Sequence, residues 1–209
     1  MKPTGRGFSM IELIIALAVL GVLLALSAPS FNAWISNTKI RTAAEVIQSG
    51  LQLARAEAVR RNARISFQLT SSTAADCVLA TTATSWVITY GTDDPTGKCD
   101  VALLNEAFPV SDATNNPVPR IIQARTAAEG SSNVLAAADQ SVIVFNGLGR
   151  VTNPSANPMV INLQNATVGC QTTSNKAPPL LRCLRVTASI GGQIRICDPI
   201  LPGTDPQAC

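Results

Sequence analysis

Side chains able to do chemistry are few in this chain, and their types exclude more than they offer. None of the 209 residues is a histidine. That removes Ser-His-Asp and Cys-His arrangements and every histidine-containing metal site. Asp93, Asp94 and Asp100 lack the regular oxygen-ligand spacing of a calcium loop and read as turn residues. Six cysteines remain: Cys77, Cys99, Cys170, Cys183, Cys197 and Cys209. No two form a C-x-x-C pair, which argues against a zinc knuckle and against a thioredoxin-like redox site. An even count at wide spacings points instead to disulfides in an oxidising compartment. Fifteen complete pairings are open to six cysteines. Proximity along the chain makes Cys77–Cys99, Cys170–Cys183 and Cys197–Cys209 candidates, the last closing a Pro-rich tail, ILPGTDPQAC. No catalytic residue, metal or cofactor is expected, and the chain does not read as an enzyme.

One carboxylate stands out by its setting. Glu12 is the only charge between Phe8 and Ala28, in a segment whose core reads LIIALAVLGVLLALSA from Leu13. About 20 apolar residues match the hydrocarbon thickness of a bilayer. Lys2 and Arg6 precede the run closely, with Lys39 and Arg41 further off on the other side, which places the N-terminus in the cytoplasm. An ordinary secretory signal would carry an uncharged core and a small-residue cleavage site. A carboxylate near the start of such a run is expensive and calls for a partner. The net charge of +3 is too small for a general nucleic-acid binder, and losing Lys2 and Arg6 would lower it to +1. Arg150, Lys176, Arg182, Arg185 and Arg195 form the candidate basic patch.

These groups need elements to hold them. Hydrophobic residues make up 46% of the chain, which argues against disorder, and length allows one modest domain plus an extra element. Pro29 either kinks the apolar helix or opens a new one from its first turn. Beyond it Ile40, Ala43, Ile47, Leu51, Ala54 and Ala58 recur at helical spacing, predicting an amphipathic helix to about Asn62. A continuous helix from Phe8 would be about 80 Å long at 1.5 Å per residue. Strands are predicted at 64–69, 85–90, 120–123, 141–145, 159–163, 182–188 and 193–197, with polar loops over 70–84, 91–97, 111–119 and 168–179. Trp86 and Tyr90 share a strand face and read as core; Trp34 reads as an interface anchor or an intersubunit contact. Gly191-Gly192 predicts a tight hairpin. With those two residues alone as the turn, alternation puts Arg182 on the face of Arg195, Arg185 on the other, and Cys183 opposite Cys197.

The string GFSMIEL, Gly7 to Leu13, resembles the processing site of type IV prepilins and of the pseudopilins of type II secretion. The resemblance implies that a prepilin peptidase cuts between Gly7 and Phe8 and methylates Phe8. It equates Glu12 with the family's glutamate at the fifth mature position, which would pair with the N-terminal amine of a neighbouring subunit and set the stagger between them. It favours a kinked but continuous helix at Pro29. Later patches, ARAEAVRRN from Ala54, FNGLGR from Phe145 and GGQIRICDP from Gly191, resemble the GspH/FimT-like minor pilin group. That implies an α+β fold, a long N-terminal helix packed against antiparallel β-sheets. It also implies a leader over 1–7, a transmembrane or filament-core half-helix over 8–30, and a periplasmic or filament-exposed domain over 31–209.

The implied partners are the peptidase, other minor and major pilins or pseudopilins, an inner-membrane assembly platform, and membrane lipid before assembly. The implied location is the inner membrane, single-pass, and then a pilus or pseudopilus. One branch of the group is implicated in DNA uptake and carries a G-R-x-R element. Gly192 and Arg195 match it, but Gln193 replaces its first arginine. Arg150, Arg182, Arg185 and Arg195 are thus the residues that a DNA contact would use, without an aromatic stacking platform after Phe145.

Overall fold

Helix α1 spans Met10–Arg61, 52 residues, and runs without a break through position 29. At 1.5 Å per residue it is about 78 Å long. The computed structural model describes residues 9–127, 133–176 and 180–209, and within the helix it describes no side chain over 25–29. The helix changes character along its length. Its first part is exposed all round, from Met10 to Leu24. Its second part buries the expected stripe: Ile40, Ala43, Ile47, Leu51, Ala54 and Ala58 are all at most 1% exposed. Small residues on that stripe let the sheet come close. A Cβ at Gly50 would lie 2.8 Å from both the Phe67 and the Trp86 rings. The helix stops at Asn62, whose left-handed backbone (φ 47°) lets its N–H reach back to the carbonyls of Ala58 and Val59.

Eight strands follow: β1 (Ile65–Thr70), β2 (Ser85–Tyr90), β3 (Ile121–Arg125), β4 (Val134–Ala138), β5 (Val142–Phe145), β6 (Met159–Asn165), β7 (Leu184–Ala188) and β8 (Ile194–Cys197). They form two antiparallel four-stranded sheets, ordered β3-β2-β1-β5 and β4-β6-β7-β8. Inner faces of both sheets share one core with the helix stripe. Phe67, Trp86, Ile88 and Phe145 come from the first sheet; Ile161, Leu163, Val186 and Ala188 come from the second.

The strand at 134–138 was not expected. Its sequence, VLAAA, is rich in alanine, a weak strand former. It forms because β6 pairs with it on one side and the carbonyls of Thr81 and Thr82 accept from Ala138 and Ala136 on the other. Two of the expected loops also do more than lie on the surface. Strand β1 is buried on both faces, Ser66, Gln68 and Thr70 included. Ser66 Oγ donates to the Gly91 carbonyl at 2.6 Å, and Gln68 Nε2 donates to Thr89 Oγ1 and the Asp93 carbonyl, both at 2.7 Å. The segments around 71–84 and 91–99 therefore roof the outer face of the first sheet. The Cys77–Cys99 disulfide sits under them with Val87 and Ile121 as a second small core.

The final hairpin departs from the two-glycine turn by one residue. Ser189 and Gln193 are its last paired residues, and the loop is Ile190-Gly191-Gly192 with Gly192 at φ +82°. Lengthening a turn by one residue flips the partner faces, because side chains alternate with period two. The register pairs Thr187 with Arg195 and Arg185 with Cys197. Arg185 therefore shares its face with Arg195, and Arg182 lies before the strand, which corrects the expected arrangement. Cys183 is likewise not opposed to Cys197 by face. It bonds Cys170, and Cys197 bonds Cys209.

Candidate assembly surface

An exposed apolar helix end is the most unusual surface of the molecule. Leu13, Ile14, Ile15, Leu17, Val19, Leu20, Val22, Leu23 and Leu24 are each 51–61% exposed, all around the helix rather than along one stripe. A helix apolar all round is one that is buried in an assembly or a bilayer. Taken alone, no helix among the described residues is long and apolar enough to cross a membrane. The predicted span includes Phe8 and the side chains 25–29, which lie outside the description, as do Gly7 and the cleavage bond itself. Glu12 stands in the first helical turn, exposed, with its N–H bonded to the Ser9 carbonyl at 3.1 Å. A carboxylate there faces the positive end of the helix dipole. The helix is continuous at Pro29, and the proline ring is outside the description.

Where the apolar stretch ends, Phe31 and Trp34 stack on one another at 5.9 Å between ring centroids, and both are largely exposed. Phe31 joins the expected Trp34 here, and the signal for it in the sequence is its spacing of three from Trp34 on a helix. Next to Trp34, a groove runs between the helix and the β7–β8 side of the second sheet, lined by Asn37, Arg41, Arg182, Ile196 and Asp198. Asn37 Oδ1 accepts from the Arg182 backbone N–H at 2.9 Å, and Arg182 Nε pairs with Asp198 at 2.7 Å. Arg41 pairs with Glu45 on the helix surface at 3.0 Å.

The candidate nucleic-acid contacts are distributed and mostly engaged within the chain. Arg185 Nε donates to Asn162 Oδ1 at 2.8 Å. An Arg195 terminal nitrogen donates to the Ala208 carbonyl at 2.8 Å, holding the C-terminal tail beside its disulfide. Arg150 is exposed at the opposite end of the helix stripe, after Gly149, whose backbone approaches Arg55 and Val59. Lys176 is exposed in the loop before Leu180.

At that distal end, charges stitch the helix to the loops. Glu57 accepts from Arg60 at 2.8 Å and from Arg61 at 2.7 Å, and Glu106 accepts from both arginines. Burial would raise the Glu57 carboxyl, but hydrogen bonds and charge from the two arginines hold it below the usual range. Asp93 behaves alike. Burial pushes it up, while the Arg120 side chain and backbone N–H pull it below its ordinary value. Arg120 in turn stands over the Tyr90 ring, 5.1 Å from its centroid. No group of three or more acidic or cysteine residues able to hold a metal ion occurs among the described residues.

The model of the family described as type II transport protein GspH matches residues 43–189. The prokaryotic N-terminal methylation motif matches residues 4–28. No curated protein matches the chain. Two crystal structures of the Pseudomonas aeruginosa (strain PAO1) type IV minor pilin FimU are similar at 16% identity. Their TM-scores are 0.45 and 0.43; they cover 82% and 81% of this chain, and 96% and 98% of theirs. With most of its length matched, and with a methylation motif ahead of that match, the chain belongs to the GspH family of pilin-like proteins.

Proposed function

We propose that this protein is a minor type IV pilin, incorporated into a pilus or priming its assembly after a prepilin peptidase removes residues 1–7 and methylates Phe8. The observation that carries the reading is the division of α1 into an exposed apolar half and a half buried by the domain. Before assembly the apolar half would lie in the inner membrane, with the domain in the periplasm. Three disulfides suit that oxidising side. In a filament the same half would pack against the helices of other pilins, drawn from the membrane by an assembly platform. Glu12 would then enter apolar surroundings, where an unpaired carboxylate is strongly unfavourable. The methylated amine of a neighbouring subunit is the complementary charge, and pairing fixes the axial stagger.

Replacing Glu12 with alanine should leave the chain in the membrane fraction and deplete it from sheared, purified filaments. Normal incorporation of the variant would refute the register role. The family's description as a type II transport protein favours a second reading, a minor pseudopilin that helps to drive folded proteins out of the cell. Deleting the gene separates the two: loss of surface pili supports the first, and loss of exoprotein secretion with pili intact supports the second.

A further inference from the structure

We propose that Phe31 and Trp34 are the interfacial anchor of the unassembled chain, an aromatic pair seated in the phospholipid headgroup layer on the periplasmic side. The proposal rests on the membrane reading above and adds the residues that set the depth of insertion.

Rings elsewhere in the described fold are mostly inside. Phe67, Trp86 and Phe145 are at most 2% exposed, whereas Phe31 is 60% and Trp34 63% exposed. The two are three residues apart on one helix face and stacked with 27° between ring planes. Neither is among the residues buried in the domain core. Trp is favoured at the membrane–water boundary because one ring combines apolar area with a polar N–H.

Distance along the helix places the pair in that boundary. With Met10, the first helical residue, at the cytoplasmic edge of the hydrocarbon, Phe31 is about 32 Å and Trp34 about 36 Å further along at 1.5 Å per residue. The hydrocarbon ends at about 30 Å and the headgroup region adds several more on each side. The pair thus falls just past the acyl chains. Sequence around it changes at the same place, from the uncharged run to Asn32, Ser36, Asn37, Thr38 and Lys39. The first fully buried stripe residue, Ile40, comes only a turn and a half beyond Trp34.

Cations flank the pair on the domain side. Arg41 and Arg182 line the groove that Trp34 opens, and each uses its Nε for its carboxylate partner, Glu45 or Asp198. Their terminal nitrogens point to no bond among those described, which leaves them for lipid phosphates. Pairing with Glu45 and Asp198 keeps the groove close to neutral, so the surface suits ordinary phospholipid headgroups rather than a strongly acidic partner.

Tryptophan fluorescence tests this in the full chain, because the protein has only two tryptophans and Trp86 is buried. The chain is reconstituted into phosphatidylethanolamine–phosphatidylglycerol vesicles, and flotation reports insertion independently. Lipids brominated either near the headgroup or near the acyl terminus then act as depth-resolved quenchers. Trp34 is isolated with Trp86→Phe and, should that variant misfold, as the difference between wild type and Trp34→Phe. The expected result is several-fold stronger quenching by the shallow bromines than by the deep ones. Failure to float would overturn the membrane reading and the anchor with it. Flotation without bromine quenching would overturn the anchor alone, and so would stronger quenching by the deep bromines. Shielding of Trp34 that depends on protein-to-lipid ratio, without bromine quenching, would assign the pair to chain–chain contact instead and equally refute the anchor.

Discussion

Gly192 offers the sharpest test of the packing, because two independent restrictions meet there. Its φ of +82° is a conformation that side-chain-bearing residues rarely adopt. A Cβ on it would sit 1.9 Å from the Gly149 carbonyl oxygen and 3.1 Å from Arg55 Nε. Gly149 is itself at φ +71°, and a Cβ there would meet Arg55 and Val59 of the helix. Nearby, a Cβ on Gly147 would lie 2.4 Å from Asn62 Oδ1 at the helix end. The three glycines form one seam, in which the 146–150 turn and the β7–β8 hairpin meet the end of α1. In Gly192→Ala the left-handed conformation adds about 1–2 kcal/mol, and forcing a methyl against backbone adds about 1–3 kcal/mol. The loss is then about 2–5 kcal/mol, which at about 2–4 °C per kcal/mol for a domain of this size lowers Tm by about 4–20 °C. Gly191→Ala is the built-in control, since a Cβ there meets nothing closer than Ser189 Oγ at 3.8 Å. Its Tm should stay level or rise slightly, because alanine restricts the unfolded chain. Thermal unfolding of the two variants by circular dichroism, with disulfides intact, decides the matter. Equal Tm values for both variants would show that the seam does not exist as described.

Two further perturbations address the roof over the first sheet. Asp93 accepts three hydrogen bonds from Arg120, at 2.7, 2.8 and 3.0 Å, from a site only 11% exposed. Its depressed pKa means that the stabilisation is present above the ordinary carboxylate range and is lost as pH falls through the lower folded value. Asp93→Asn should therefore cost about 2–3 kcal/mol at neutral pH. In urea titrations the gap to wild type should close below about pH 4, and a gap independent of pH would argue against the ion pair. The Cys77–Cys99 disulfide closes a sequence separation of 22 and anchors the small outer core. Replacing both cysteines with alanine should lower stability by about 3 kcal/mol and speed proteolysis within 71–99; an unchanged urea midpoint would contradict that role.

Much of the architecture was legible because it follows from periodicity. The stripe from Ile40 to Ala58 is a helical pattern, and it is the stripe that the structure buries. The strand at 85–90 was read with its observed ends, and the neighbouring strands shifted by a residue or two. In each case the information is local: apolar side chains at fixed intervals and a turn residue where the interval ends. The exposed apolar helix end belongs here too, because a run without polar residues needs no tertiary contact to be recognised.

Other features depend on contacts between distant segments. Strand β4 exists through partners on both of its edges, and alanine at its centre carries little preference of its own. The outer face of β1 is buried because polar-looking loops fold over it and satisfy Ser66 and Gln68. Most instructive is the last hairpin. Gly191-Gly192 marked a turn correctly, but a two-residue and a three-residue loop look alike in sequence. The choice between them is made at the seam, where only Gly192 can approach the Gly149 carbonyl. That single residue of register moved Arg185 onto the face of Arg195 and gave Arg195 the C-terminal tail to hold. The sequence by itself thus pointed to a pilin-like chain, with the GFSMIEL string running into an uncharged apolar stretch, because those signals are contiguous. Tertiary structure alone decided which face each C-terminal arginine occupies, because strand register is set by packing against the distant 146–150 turn rather than by any residue's own preference.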